Sequence, residues 1–266
     1  MYSTRPTIVI ISGGWHIPAS YTKLATLLET QGYQVFIPHL PSNNGARPPT
    51  AALAEDTTYI RDFVSDLIAK NHTIAVIMHS YGGQVGTNAL TGLPKATSSI
   101  MNNDDDDDGK KGGILHLIYL TAFAQRENRS MSDKVEEFGQ SELMPLAFEF
   151  ADDNTVISRD PKNLIVGPSS VPDDEVDEYV GTMVRWNAKC MYDRGRVEKA
   201  AWREFPVSYL YTTQDRVVPV EYQRSMVEEM RREGAKVRTY EVESGHCPNF
   251  TNARMVVGYV EEILGY

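Results

Sequence analysis

Ser80 lies in IMHSYGGQVG, residues 77–86, where an apolar run turns abruptly into small residues. A serine on a sharp turn between a strand and a helix presents its hydroxyl outward, and Gly82 and Gly83 leave room for the helix to pass close to the strand. The pattern fits a nucleophile, and it also fits an ordinary turn serine. Met78 stands where such nucleophile turns usually carry glycine, so neighbouring packing has to take up its thioether. A serine hydroxyl attacks well only when a base takes its proton and a carboxylate orients that base. Two loops offer these groups: Asp215 in YTTQDRVVP and His246 in VESGHCPNF. Taken alone, Asp215 also reads as a helix cap before Pro219, and His246 as a structural histidine. Together they supply the chain order Ser, Asp, His that one strand-and-helix scaffold uses. A developing oxyanion needs donors as well. SGGWH at 12–16 offers the backbone N–H of Gly14, and Tyr81, directly after Ser80, offers a second.

The elements that would position these groups alternate. TIVIIS (7–12), QVFIP (34–38), TIAVIM (73–78), ILHLIYL (114–120), VSYLYT (207–212) and 236–241 read as strands. Between them run helices over 20–31, with Ser20 as a possible cap and Gly32 as the stop, then 51–69, the stretch after Gly83, 220–232 and 252–264. Continuous apolar strands alternating with helices predict a mostly parallel α/β sheet covered on both faces. Ser80, Asp215 and His246 each follow a strand, at the carboxyl edge where such sheets bind ligands. From 124 to 203 the alternation lapses. That charged, helix-prone stretch, broken by Pro145, Pro161, Pro168 and Pro172, reads as a helical insertion after the 114–120 strand. Residues 102–113, NNDDDDDGKKGG, read as a mobile solvated loop, since consecutive aspartates lack the spacing of a metal site.

With 266 residues, 26 Lys+Arg against 36 Asp+Glu and a formal charge of −10, the chain can bury a substantial core and is ill-suited to nucleic acid or an anionic membrane. It has two cysteines, Cys190 and Cys247, no signal-like start and no long apolar span, so a cytoplasmic location with reduced thiols is expected. Oligomeric state, monomer or homodimer, is left open. Of the other histidines, His39 in PHLPSN reads as second shell to the site or structural, His79 as packing behind the nucleophile turn, His72 as a surface residue and His116 as a sheet residue. None has metal-ligand spacing. Cys247 lacks a nucleophile turn of its own. Between 124 and 203, Met144, Phe148, Phe150, Tyr179, Met183 and Trp186 are candidate pocket walls, the last three spaced for one helix face.

The order strand, SGGWH, strand, HSYGG, strand, TTQD, strand, SGH resembles the α/β-hydrolase fold over about 1–123 and 204–266, with 124–203 at the place where such proteins insert a cap. It is similar to small esterase-like hydrolases with an HSYGG turn and, more distantly, to the plant methylesterase and hydroxynitrile lyase group. That group opens its oxyanion loop with His-Gly; Ser12-Gly13 stands there in this chain, and His16 matches the group's second histidine. The lyases carry threonine at the place of Gly13 and lysine at the place of Cys247, and dehalogenase relatives carry aspartate at the place of Ser80. The resemblance therefore implies a serine hydrolase of an ester, thioester or lactone of a small to medium organic molecule, without metal or organic cofactor. Substrate or second-shell contacts are expected from Gly13, Trp15, His16, His39, Met183 and Trp186. Two other readings use the same pocket: a cyclase, lyase or acyl transferase of secondary metabolism, and a ligand-binding protein with a relict triad.

Overall fold

The computed structural model describes residues 5–96 and 111–266. The aspartate run thus lies outside the described residues, and Gly113 opens a strand. In chain order the first half contains β1 (Thr7–Ile11), α1 (Thr22–Thr30), β2 (Val35–Phe36), α2 (Leu53–Ala69), β3 (Thr73–His79), α3 (Tyr81–Ala89) and β4 (Gly113–Leu120). Between β4 and the next strand of the main sheet come α4 (Met131–Glu137), α5 (Met144–Ala147), β5 (Phe148–Phe150), β6 (Thr155–Ser158), α6 (Asp173–Gly181) and β7 (Trp186–Asn187). The chain closes with β8 (Val207–Thr212), α7 (Val220–Arg232), β9 (Val237–Val242), α8 (Pro248–Thr251) and α9 (Ala253–Leu264).

Six strands form one sheet in the order β2-β1-β3-β4-β8-β9, with every pair parallel. Strand side chains alternate between faces with period two, and both faces are covered. Val9, Ile11, Val76 and Met78 pack with Ile60 and Val64 of α2, Val85 of α3 and Met226 of α7. Ile8, Ile10, Ala75 and Ile77 pack on the other face with Leu24 and Leu28 of α1 and Val256 and Val260 of α9. Burial on both faces is why these strands are unbroken apolar runs.

The order reverses at β1, since β2 lies on one side of it and β3 on the other. That reversal opens a crevice at the carboxyl ends of β1 and β3. Ile11 pairs with Met78, so Ser12–Gly14 and Ser80 leave the sheet side by side. Met78 is fully buried, and its thioether occupies the space over Gly86, where an added Cβ would collide with it. The bulk of Met78 two residues before Ser80 is thus taken up at Gly86.

Three local expectations need correction. Ser20 does not cap α1 with its side chain; it closes a 3-10 turn over Pro18–Tyr21, and its hydroxyl meets that of Thr182 at 2.9 Å. The segment between β4 and β8 is not all helical, because β5, β6 and β7 form an antiparallel sheet. Tyr179, Met183 and Trp186 do not share a helix face: α6 ends at Gly181, Met183 follows it, and Trp186 begins β7. Long-range partners decide this, among them the Trp15 indole N–H donating to the Val156 carbonyl at 3.0 Å.

Candidate active site

Ser80 sits between the last residue of β3 and the first of α3 with φ 54° and ψ −124°, in left-handed territory that a side chain tolerates only under surrounding constraint. The constraint is visible at Gly82, where a Cβ would run into the Ile11 and Ser12 carbonyl oxygens. The turn holds α3 against β1 and points Oγ at His246. His246 Nε2 lies 2.8 Å from Ser80 Oγ, and its Nδ1 lies 2.7 Å from Asp215 Oδ2. A carboxylate only accepts, so Nδ1 carries the proton and donates, which leaves Nε2 to accept from the serine hydroxyl.

Asp215 is held from every side. Its Oδ2 also accepts from the hydroxyls of Thr121, at 2.5 Å, and Thr212, at 3.1 Å. Its Oδ1 accepts from the Val217 and Val218 N–H groups at 2.7 and 2.9 Å. Five donors compensate a carboxylate buried to 0% side-chain exposure. The same local bonds show what made Asp215 look like a cap: it closes the turn before Pro219 while reaching His246. His246 comes from the far edge of the sheet, beyond β9. Its loop is tied back by its own N–H to the Ile165 carbonyl at 3.1 Å and by its carbonyl, which accepts from His79 Nε2 at 2.7 Å.

That second bond belongs to a chain running into the SGGWH loop. His79 Nε2 donates, so Nδ1 accepts from the Tyr21 hydroxyl at 2.8 Å, and the Tyr21 oxygen accepts from the Gly13 N–H at 2.8 Å. His16 Nδ1 donates to the Gly14 carbonyl at 2.7 Å, which leaves Nε2 facing the Cys247 thiol at 3.5 Å. Asn43 donates to the carbonyls of Gly13 and His16, both at 2.9 Å. With the Gly13 carbonyl fixed, the peptide plane that carries the Gly14 N–H is fixed as well. Gly14 has no room for a side chain, since a Cβ would lie 2.7 Å from the Trp186 ring.

Burial lowers the His16 imidazole to about 3 and drives His79 well below its ordinary range, with the neighbouring His246 adding to both. Each is neutral in the folded chain and takes up its proton first when unfolded. Their contribution to stability is full above about pH 6.5 and is lost as pH falls toward the folded value, at about 1.4 kcal/mol per unit for each group. Urea unfolding is therefore expected to show about 2 kcal/mol less stability at pH 5.0 than at pH 7.5 from His16 alone. An unchanged midpoint would contradict neutral buried imidazoles. Burial also pushes the Cys247 thiol up, away from the thiolate a nucleophile needs.

A cavity of about 50 Å³ adjoins Ser80, walled by Trp15, Phe123, Met131, Met144, Phe148 and Trp186. Gly14 and Tyr81 line it too, and no lining residue carries a charge. A larger trough of about 700 Å³ runs past Lys23, Pro172, Glu175 and Arg254 and shares no lining residue with the first. Volume alone does not make it the site, because Ser80, Asp215 and His246 are all absent from its lining.

The structure thus brings together Ser80, His246, Asp215, Gly14 and Tyr81, with Trp15 and Trp186 on the cavity wall and Gly13 and His16 behind it. Other expectations fail. His39 is exposed and does not line the cavity, so it makes no substrate wall, while its bond to the Asn43 carbonyl at 3.0 Å fits the structural or second-shell role also expected for it. Met183 lines not the Ser80 cavity but a neighbouring hollow that shares only Trp15 with it, while Tyr179 stacks on Phe250 at 4.2 Å. Phe150 also lies outside the Ser80 cavity. His72, expected at the surface, is half-buried there, with its ring against the Thr7 hydroxyl at 2.8 Å. Tyr21, Asn43, Ser42, Asp56 and Thr121 escaped the sequence reading, because each is a single polar residue whose partners are distant in the chain.

Comparison with known proteins agrees with this architecture. The alpha/beta hydrolase family model matches residues 8–258. "Probable hydrolase R7" of Phoma sp. is 25% identical, covering 98% of this chain and 99% of the relative. "Alpha/beta hydrolase nvfD" of Aspergillus novofumigatus is 24% identical over 98% of this chain and 97% of its own. Among solved structures, a methylesterase from Arabidopsis superposes with a TM-score of 0.74 at 17% identity, covering 98% of this chain and 99% of that one. With the family matched over nearly its whole length and the parallel sheet in place, this chain belongs to the alpha/beta hydrolase family.

Proposed function

We propose that this chain is a serine hydrolase that cleaves a small to medium, neutral ester, thioester or lactone through an acyl-enzyme. The observation that carries the reading is the continuous hydrogen-bond path from Ser80 Oγ through the His246 ring to Asp215, opening on an uncharged cavity. Ser80 Oγ attacks the acyl carbonyl carbon as its proton passes to His246 Nε2. Asp215 holds the imidazolium that forms, and the N–H groups of Gly14 and Tyr81 receive the oxyanion. The tetrahedral intermediate collapses by expelling the alkoxide or thiolate, which takes the proton from His246. Water, deprotonated by the same nitrogen, then attacks the acyl carbon and releases the acid with Ser80 reprotonated.

The absence of charge among the cavity walls favours neutral substrates, since a buried carboxylate there would have no partner to offset its desolvation. A probable hydrolase among the relatives and a methylesterase of the same fold agree with hydrolysis. The two buried free thiols, Cys190 and Cys247, fit work in the cytoplasm.

Short p-nitrophenyl and methyl esters, turned over in ¹⁸O-water, test the reading. Hydrolysis through an acyl-enzyme puts the label in the released acid. A product formed without label, by ring closure, elimination or transfer to another alcohol, would replace hydrolysis with one of the non-hydrolytic chemistries.

A further inference from the structure

Asp56, in the first turn of α2, is fully buried, and no cation pairs with it among the described residues. Three donors converge on it. The Ser42 N–H donates to Oδ1 at 2.9 Å, and the hydroxyls of Ser42 and Tyr81 donate to Oδ2 at 2.5 and 2.7 Å. Burying a carboxyl without a countercharge is costly even when it is hydrogen-bonded. Each of its partners leads to the site.

The first path is direct. Tyr81 carries one of the two N–H groups aimed at the oxyanion, and its side chain is anchored at the far end by Asp56. The second runs through the Pro41–Asn43 turn, where Ser42 is clamped by Asp56 while its neighbour Asn43 fixes the Gly13 carbonyl and hence the Gly14 N–H. The third runs through Trp186, whose indole N–H donates to Ser42 Oγ at 3.1 Å and whose ring bears on Gly14. That ring also meets Tyr81 at 4.8 Å between centroids. One carboxyl group therefore ends up behind both oxyanion amides.

We propose that Asp56 is a positioning residue for the oxyanion hole, setting the Tyr81 amide through the Tyr81 hydroxyl and the Gly14 amide through Ser42, Asn43 and Trp186. The inference rests on the serine hydrolase reading. Asparagine at position 56 keeps an acceptor for the Ser42 N–H but turns an NH2 toward two hydroxyls that now donate. Both hydroxyls must rotate, and the Ser42 hydroxyl proton then loses its acceptor. A misaimed oxyanion donor weakens the transition state more than substrate binding, so the loss falls on kcat.

The test measures kcat and KM of Asp56→Asn on a p-nitrophenyl ester, with kcat expressed per site titrated by a fluorophosphonate. Scaling to titrated sites removes any loss due to unfolded protein, which a purely structural role would produce. The expected result is a 10- to 100-fold fall in kcat per site with KM within threefold of wild type. A fall of less than fivefold overturns the inference, whatever happens to KM. If Asp56→Asn does not fold, Tyr81→Phe, which deletes one hydroxyl, takes the same measurement with the same fivefold threshold. Wild-type protein that takes no label at Ser80 would defeat the hydrolase reading itself, and this inference with it. Labelled wild type with an undiminished Asp56→Asn would defeat the inference alone.

Discussion

Replacing Ser80 by alanine is expected to lower kcat for any ester substrate by roughly 10⁵- to 10⁶-fold, the scale seen when a nucleophile that works as one unit with its base is removed. The atom deleted is the one that would bond to the acyl carbon, and the Cys247 thiol, next to His246 in the chain, is buried, raised in pKa and turned toward His16. The Gly14 and Tyr81 amides and the apolar cavity would remain, so residual turnover above water should persist at a low level. Folding should be little affected, since the strained backbone at this position is imposed by the packing of α3 on β1 and not by the hydroxyl. Steady-state rates on p-nitrophenyl esters, with thermal unfolding as the control, read this out. A kcat within tenfold of wild type would remove Ser80 from the chemistry.

Asp215→Asn is expected to cost about 10⁴-fold in kcat, through the tautomer of His246. Asparagine has to choose which side receives its NH2. The Oδ1 side faces two N–H donors, from Val217 and Val218, and cannot accept a third donor. The NH2 is therefore forced to the Oδ2 side, where the Thr121 and Thr212 hydroxyls can rotate but His246 Nδ1 must give up its proton. The proton then resides on Nε2, facing Ser80, and the serine has no base. KM should change far less than kcat, because Asp215 does not line the cavity. Near wild-type turnover would mean that a different carboxylate orients the imidazole.

Much of this fold was legible because its sheet is covered on both faces. Strands such as VSYLYT are apolar from end to end, and amphipathic helices such as 220–232 follow them at short range; both have the expected bounds in the structure. The Ser80 turn was legible for a different reason: glycines within three residues record the close approach of a helix to a strand. The segment from 124 to 203 was harder to read. Its strands are two to four residues long, and their pairing rests on distant groups, as where Arg185 reaches Thr155 at 3.2 Å and Glu149 at 2.9 Å. Helical spacing of Tyr179, Met183 and Trp186 was therefore misleading, since the helix stops between the first and second of them.

The supporting polar residues were illegible for a related reason. Asp56 lies in DTTYIRDF and reads as a first-turn acid of a solvent-facing helix, which is the common use of aspartate there. Only the fold reveals that Ser42, fourteen positions earlier, and Tyr81, twenty-five later, converge on it. Tyr21 reads as an apolar position of the helix expected over 20–31, and its hydroxyl acquires meaning only between Gly13 and His79. His39 shows the converse. It follows a strand, as the site histidine does, yet its ring turns back onto its own loop.

A fluorophosphonate bearing a mass tag, applied to the purified folded protein with the adduct located by peptide mass spectrometry, asks whether Ser80 is the nucleophile. One adduct per chain is expected, on the peptide containing Ser80, absent in Ser80→Ala and slowed in Asp215→Asn. Folded protein that hydrolyses esters while Ser80 stays unmodified, or an adduct on another residue that accounts for the lost activity, would contradict it.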